Sequence, residues 1–198
     1  MSNLLETIQI KSAVRQIANG KVNFDATKAH IEKSTLYFRK ALCGLSGIQQ
    51  LIKPADVEKD GVRNIDSARL PSGEAFLVTG IVFSTAKSEA KLTDEKAISA
   101  LSFTTGMADG NLAKFLNSEF SLKVGNKEKL KTILRHAKAE MKGDDVFDKA
   151  AYQVTPFIIE PQQNISPDLN IFDLPCAADK DLVLEVALVG YKISGNNA

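Results

Sequence analysis

The hydrophobic positions change period along the chain. Over residues 3–18, Leu4, Ile8, Val14 and Ile17 fall near one stripe. Asn3 and Glu6 have capping-box spacing and Asn19-Gly20 is a stop, so the pattern predicts an amphipathic helix. A second helix is expected over 26–43, capped by Asp25 and carrying Ile31, Phe38 and Leu42, with Leu45 following and Gly44 and Gly47 at its end. Ser34, Thr35 and Tyr37 are indifferent helix formers within it. Periodicity is lost over 53–73, where two Pro, two Gly and alternating charges predict a long connection with a short strand at 62–65.

Beyond this connection the period falls to two. Residues 76–85, FLVTGIVFST, are apolar on both alternations, with Phe76, Val78 and Val82 on one face and Leu77, Ile81 and Phe83 on the other. That pattern predicts a strand buried on both faces. Residues 97–105 read as another strand. Over 119–124, Phe120, Leu122 and Val124 alternate with Glu119, Ser121 and Lys123 as in a half-buried strand. Residues 127–142 carry Leu130, Ile133, Leu134, Ala137 and Met141 on one stripe and predict a helix, with Asn126 as cap and Gly143 as stop. Residues 152–160 are strand-like, and Pro156 confines them to an edge or a bulge. Residues 161–181, with Pro161, Pro167 and Pro175, read as loop around an apolar patch at 169–174. The last element, 181–194, is a long strand. Leu182, Leu184, Val186 and Leu188 share one face, Val183, Glu185, Ala187, Val189, Tyr191 and Ile193 the other, and Gly190 marks a bend or bulge. An unpaired carboxylate on such a strand is costly, so Glu185 is expected to face solvent or to meet a Lys or Arg.

Composition sets bounds on these elements. The chain has 198 residues, 44% of them apolar, which suits one domain, or one domain with a terminal arm, and supports a real core. The net charge of +1 argues against a dedicated nucleic-acid binder. Charge is nonetheless uneven: residues 1–50 hold seven Lys/Arg against three Asp/Glu, and residues 144–198 hold three against nine. The two ends can attract each other within the fold or between copies. No apolar run approaches the ~18–20 residues that span a bilayer. Glu6, Thr7 and Gln9 interrupt the N-terminal apolar residues, so no secretory signal is read, and synthesis in a cytoplasm is expected. In that setting Cys43 and Cys176 are expected as reduced, partly buried thiols, a disulfide being the other possibility.

The arrangements that chemistry demands are missing from the sequence. Val124-Gly125-Asn126-Lys127 is read as the turn from a strand into a helix, with too little Gly and Lys to cradle a phosphate. His30, Cys43, His136 and Cys176 lack metal-ligand spacing. Asp144, Asp145 and Asp148 cluster, but Gly143 precedes them instead of interrupting them as a calcium loop requires, so they read as solvated charges at a helix end. Lys127, Lys129, Lys131, Arg135, Lys138 and Lys142 form a basic face diluted by Glu128 and Glu140, without aromatic residues for base stacking. No catalytic, cofactor-binding or metal residue is assigned, and no cofactor is expected.

These elements place the chain as mainly β with helices (α+β), an antiparallel β-sandwich or jelly-roll body with a helical N-terminal arm. The arm covers 1–52, the connection 53–73, and the β-rich body 74–198 with an inserted helix at 127–142. The order SARLPSGEAFLVTGIVF, NSEFSLKVGNKEKL, YQVTPFIIEPQQNISPDLNI, DLVLEVALVGYKI resembles the β-body of jelly-roll virion proteins of icosahedral bacterial viruses over roughly residues 65–194. The resemblance carries no functional residue across. It implies a capsid-type structural protein, not an enzyme, located in the virion, whose partners are other copies of itself and other virion proteins, with nucleic acid weakly supported. The alternative is a small-ligand binder or enzyme whose site is assembled from scattered residues, with His136, the Asp144–Asp148 cluster and Tyr152 as its pocket.

Overall fold

The computed structural model describes residues 8, 10–12, 15, 29–105, 114–141, 151–172, 174, 176 and 180–195. Among the described residues, eight strands form two four-stranded antiparallel sheets that make a β-sandwich. The strands are β1 (His30–Ala41), β2 (Gly47–Gln50), β3 (Glu74–Lys87), β4 (Glu119–Val124), β5 (Lys127–Ile133), β6 (Tyr152–Ile159), β7 (Ile165–Ile171) and β8 (Leu182–Ser194). The first sheet has the order β1-β8-β3-β6 and the second β2-β7-β4-β5. Pairing also runs β1 with β8, β2 with β7, β3 with β6 and β4 with β5, so the chain is one long hairpin ribbon folded across two sheets. Its tip is the two-residue turn Gly125-Asn126, where Gly125 takes φ +59°, a conformation that costs glycine nothing.

The core lies between the sheets. Phe76, Val78, Ile81 and Phe83 of β3 and Leu184, Val186 and Leu188 of β8 meet Phe120 and Leu122 of β4 and Leu169 of β7. Phe83 and Phe120 stack edge to face with centroids 5.1 Å apart, joining the sheets at the middle. The face assignment of β8 is as expected, but that of β3 is not. Val82 leaves the face of Phe76 and Val78, and Ile81 and Phe83 replace it. A bulge at Thr79 sets one extra residue of β3 against β8 and inverts the alternation beyond it; the register against β6 shifts at the same place, there with the extra residues on β6. Gly190 lies opposite that bulge. A Cβ on it would sit 1.9 Å from the Leu77 carbonyl oxygen, so the bulge belongs to β3 and the glycine admits it.

Several expected elements differ. Residues 30–41 are a strand, not part of a helix over 26–43: Leu36 and Phe38 enter the core while Thr35 and Tyr37 face away, a period of two set by β-branched and aromatic residues. The 53–73 connection is irregular, with isolated bridges in place of the short strand expected at 62–65, yet Val62, Ile65, Ala68 and Leu70 are buried. In place of a strand over 97–105 there is a 3-10 helix, Glu95–Ala100, capped by the Asp94 side chain accepting from the Lys96 amide; Thr104 alone bridges β3, at Thr85. The helix expected over 127–142 is shortened to α1 (Leu134–Glu140), because the Gly125-Asn126 turn hands residues 127–133 to β4 as a ladder partner. Pairing there outweighs helix propensity. Part of the expected 161–181 loop is β7, placed between β2 and β4. Pro167 fits because its carbonyl accepts from Leu51 at 2.8 Å: its missing N–H points to the same side, beyond the end of β2, and the ladder to β4 loses no bond. Pro156 lies on an edge strand within the bulged register, as expected. Of the helix expected over 3–18, residues 8, 10–12 and 15 are described and are helical. The rest of it lies outside the described residues, as does the acidic cluster Asp144, Asp145 and Asp148.

The outer face of the first sheet is also covered. Ile10 packs against Ala75, Leu77, Tyr191 and Ile193, and Met141 against Val82, Ala151, Ala187 and Val189. Ile98 covers Val183 and Val62. Within this apolar layer Glu185 meets Arg39, its neighbour in the β1–β8 register, with 2.6 Å between Nε and Oε2. The Arg39 guanidinium lies 4.2 Å from the Phe103 ring centroid and donates to the Gly61 carbonyl at 2.6 Å. Glu185 is therefore matched inside the chain and gives no argument for a contact between copies.

Two outcomes follow from this packing. Gly190→Ala should lower the unfolding free energy by at least about 3 kcal/mol in urea denaturation, because the β3 backbone cannot yield without losing its bulge. Glu185→Ala should cost about 3 kcal/mol by leaving the half-desolvated Arg39 unpaired, and a paired replacement of Arg39 and Glu185 by Met and Leu should recover most of it. An unchanged urea midpoint in Glu185→Ala would contradict the pair's role.

Candidate functional site

Among the described residues, a groove and a second cleft open at the end of the sandwich where β1 and β5 begin and β4 and β8 end. The groove, of about 670 Å³, runs between the β4–β5 turn and the edge strand β6, lined by Leu77, Val124, Pro156, Phe157 and Ile158 with Lys127, Lys129 and Glu160 at its polar side. The second cleft, about 640 Å³, lies beside the 64–71 segment. Its floor is apolar, formed by Leu36, Ile65, Leu70 and Phe76, and its rim carries Glu58, Asn64, Asp66, Arg69, Glu74 and Lys192.

The rim is built from sheet ends and a turn. Glu74 starts β3 and Lys192 lies near the end of β8, and their side chains pair at 2.7 Å. Asp66 and Arg69 bridge across Ser67 and Ala68, whose φ values are +50° and +53°. A two-residue turn with two positive φ angles normally uses Asn-Gly, so Ser67 and Ala68 hold a backbone that costs each of them roughly 1 kcal/mol. Tertiary contacts enforce it: Ala68 is buried and its carbonyl accepts from Ile165 at 2.9 Å, while the Ser67 amide donates to Asp56 at 2.8 Å. Arg69 Nε donates to Asn164 Oδ1 across the same corner, and Gln162, another residue with positive φ, donates to the Leu70 carbonyl.

The residues singled out in the sequence lie elsewhere. His136 is exposed on α1, and Tyr152 is half-buried against the core at the start of β6; neither lines either cleft. His30 is exposed at the start of β1, with Nε2 3.8 Å from Glu32. Neither cleft is lined by a His, and the second sets a polar rim over an apolar floor. Among the described residues no group of three or more His, Cys, Asp or Glu side chains is placed to hold a metal ion. The Gly125-Asn126 turn joins two strands instead of leading into a helix, and the Gly125 amide donates to the Asn164 carbonyl. The rim residues Asp66, Arg69, Glu74 and Lys192 carry no local motif; they converge through strand register, which single-sequence periodicity does not contain.

The opposite end is fastened by Cys43 and Cys176, which form a disulfide, with Sγ atoms 1.95 Å apart and Cα atoms 5.7 Å apart, in place of the reduced thiols expected. Cys43 follows β1 and Cys176 lies between β7 and β8, so pairing of β1 with β8 brings them together; the Leu182 amide also donates to Cys43 Sγ at 3.1 Å. The outer face of the second sheet carries mixed charge. Glu119 pairs with Lys131 at 3.0 Å, and burial holds Asp168 above its ordinary carboxylate range despite Lys123 at 3.9 Å. Lys40 is pushed below its ordinary value, chiefly by burial, and donates to the Gln50 carbonyl at 2.6 Å. No helix among the described residues is long and apolar enough to cross a membrane.

No protein-family model matches this chain, and no curated protein matches it either.

Replacing Ser67-Ala68 with Asn-Gly should relieve the turn. Thermal denaturation should show a gain of about 1 kcal/mol. A loss of stability would mean that the Ala68 methyl in the core outweighs the backbone strain.

Proposed function

We propose that the sandwich is a jelly roll and that the protein is a structural, coat-type component of a virion, whose work is to associate with copies of itself and with other virion proteins. The observation that carries the reading is strand order. A ribbon pairing β1 with β8, β2 with β7, β3 with β6 and β4 with β5, wrapped so that the sheets read β1-β8-β3-β6 and β2-β7-β4-β5, supports a double Greek key of the jelly-roll kind. Viral capsid domains use that topology, and so do lectins and cupins, so the step from fold to virion is one of analogy. The sequence pattern over residues 65–194, which resembles virion jelly rolls, supports it further. The disulfide is compatible with a virion, because a chain made in a reducing cytoplasm can oxidise after release.

A second reading, a small-ligand binder, draws on the cleft with the Glu74–Lys192 pair over its apolar floor. The two separate experimentally. Purified full-length protein, examined by light scattering and electron microscopy, should form defined oligomers or closed particles. A chain that stays monomeric at every concentration reached, and whose unfolding temperature rises in a screen of small polar ligands, would overturn the coat reading in favour of the binder.

A further inference from the structure

An exposed sheet edge offers unpaired backbone groups to any other chain, and proteins blunt such edges with charge, proline or a covering segment. Among the described residues, three of the four edges are blunted. β1 carries His30, Glu32 and Lys33 at its start, and further along its edge is covered by the 62–64 segment, with the Arg39 amide donating to Val62 and the Asn64 amide to Tyr37. β5 carries Lys127, Glu128, Lys129 and Lys131, and β6 carries Pro156. β2, Gly47–Gln50, has neither charge nor proline.

The direction of its free groups follows from one bond. The Leu51 amide donates to Pro167 on β7, so residues 47 and 49 also turn their backbone groups to β7, and Ile48 and Gln50 turn theirs outward. Lys40 occupies the Gln50 carbonyl. Among the described residues nothing bonds the amide or carbonyl of Ile48. Its side chain belongs to a residue 74% exposed, and Phe172, 65% exposed, lies on the same face, because Ile48 pairs with Asn170 two residues before it. These are the two most exposed large hydrophobic residues described. The Cys43–Cys176 disulfide ties together the segments that carry them.

We propose that β2 is a docking edge for β2 of a second copy, paired antiparallel about a twofold axis through Ile48. In that arrangement the two Ile48 residues exchange both N–H···O bonds, Gln50 faces Ser46, and Ile48 and Phe172 of each copy form one apolar patch. Charge selects the partner. A twofold axis on β5 at Lys129 or Leu130 sets lysine against lysine, and one on β1 at Glu32 sets Glu32 against itself, whereas at β2 no like charges meet. An isologous contact also needs no complementary surface elsewhere. The choice of a second copy rests on the self-assembly reading above.

The test compares the intact full-length chain with Ile48→Lys and Ile48→Pro by sedimentation velocity over a concentration series, with hydrogen exchange at the Ile48 amide. Proline at 48 removes an N–H that points away from β7 and spares the internal ladder. Expected are a concentration-dependent pair in the intact chain, Ile48 protection that grows with concentration, and association at least about tenfold weaker in both variants at an unchanged urea midpoint. Where the proline variant folds poorly, Ile48→Lys, which keeps the backbone amide, decides alone. If the intact chain assembles and Ile48→Lys assembles equally well, the β2 edge is wrong and self-assembly stands. If the intact chain never associates, both fail.

Discussion

Leu182–Ser194 is hydrogen-bonded along both edges and covered on both faces, and that double confinement sets the rest of the molecule. One face of β8 meets the second sheet through Leu184, Val186 and Leu188, the other lies beneath Ile10, Met141 and Ile98. A strand so placed tolerates no unmatched polar group, so Glu185 is bound to Arg39 within two stacking rings. It also tolerates little change of volume, and the bulge at Thr79 is admitted because Gly190 leaves room for the Leu77 carbonyl. Register in β1 and β3 then follows from β8, since a slip by one residue would turn each apolar set to the wrong face.

The strands buried on both faces were the legible part of the sequence. A long run apolar on both alternations, such as 181–194, has few other uses, and Glu185 could be expected to need a cation. Misreadings occurred where a local preference met a distant partner. KEKLKT is a good helix sequence, but it follows a two-residue Gly-Asn turn that pairs it with β4, and the ladder wins. Pro167 looked like a breaker because its sequence does not say which way its missing N–H would point. In β3 the strand was correct and half its faces were not, since a bulge inverts the alternation without changing the composition. The cleft was illegible: Asp66, Arg69, Glu74 and Lys192 are brought together by two corners of the ribbon, one of them a turn whose residues, Ser67 and Ala68, are poor choices for it.

The uneven charge of the chain finds part of its use inside the fold. The basic first third and the acidic last third meet directly, because the ribbon pairs the first strand with the last: Arg39 with Glu185 belongs to both. Other acidic groups of the last third are met from the middle of the chain, Asp181 by Lys91 at 3.0 Å and Asp168 by Lys123. Conversely, Lys192 on β8 is met by Glu74. Arg39 with Glu185 thus satisfies part of the attraction between the ends within one copy.

The two ends of the sandwich are built for different work. At one end lie the clefts, with charge held in place by short pairs and by a strained turn. At the other, the disulfide closes a separation of 133 residues and joins the exit of β1 to the approach of β8. Such a link removes freedom from the unfolded chain, and by the loop-entropy argument a long closed loop is where it removes most. Its placement matters as much as its span. The pair β1–β8 is the outermost part of this ribbon, and the disulfide lies at its inner end, where Ala41 faces Val183 and the ribbon passes on to β2 and β7. Fastening that corner secures the approach to the strand on which both faces of the first sheet depend. It also steadies the segments bearing Ile48 and Phe172, so an exposed apolar edge is held in one shape before any partner reaches it, and a preformed edge gives up less entropy on pairing.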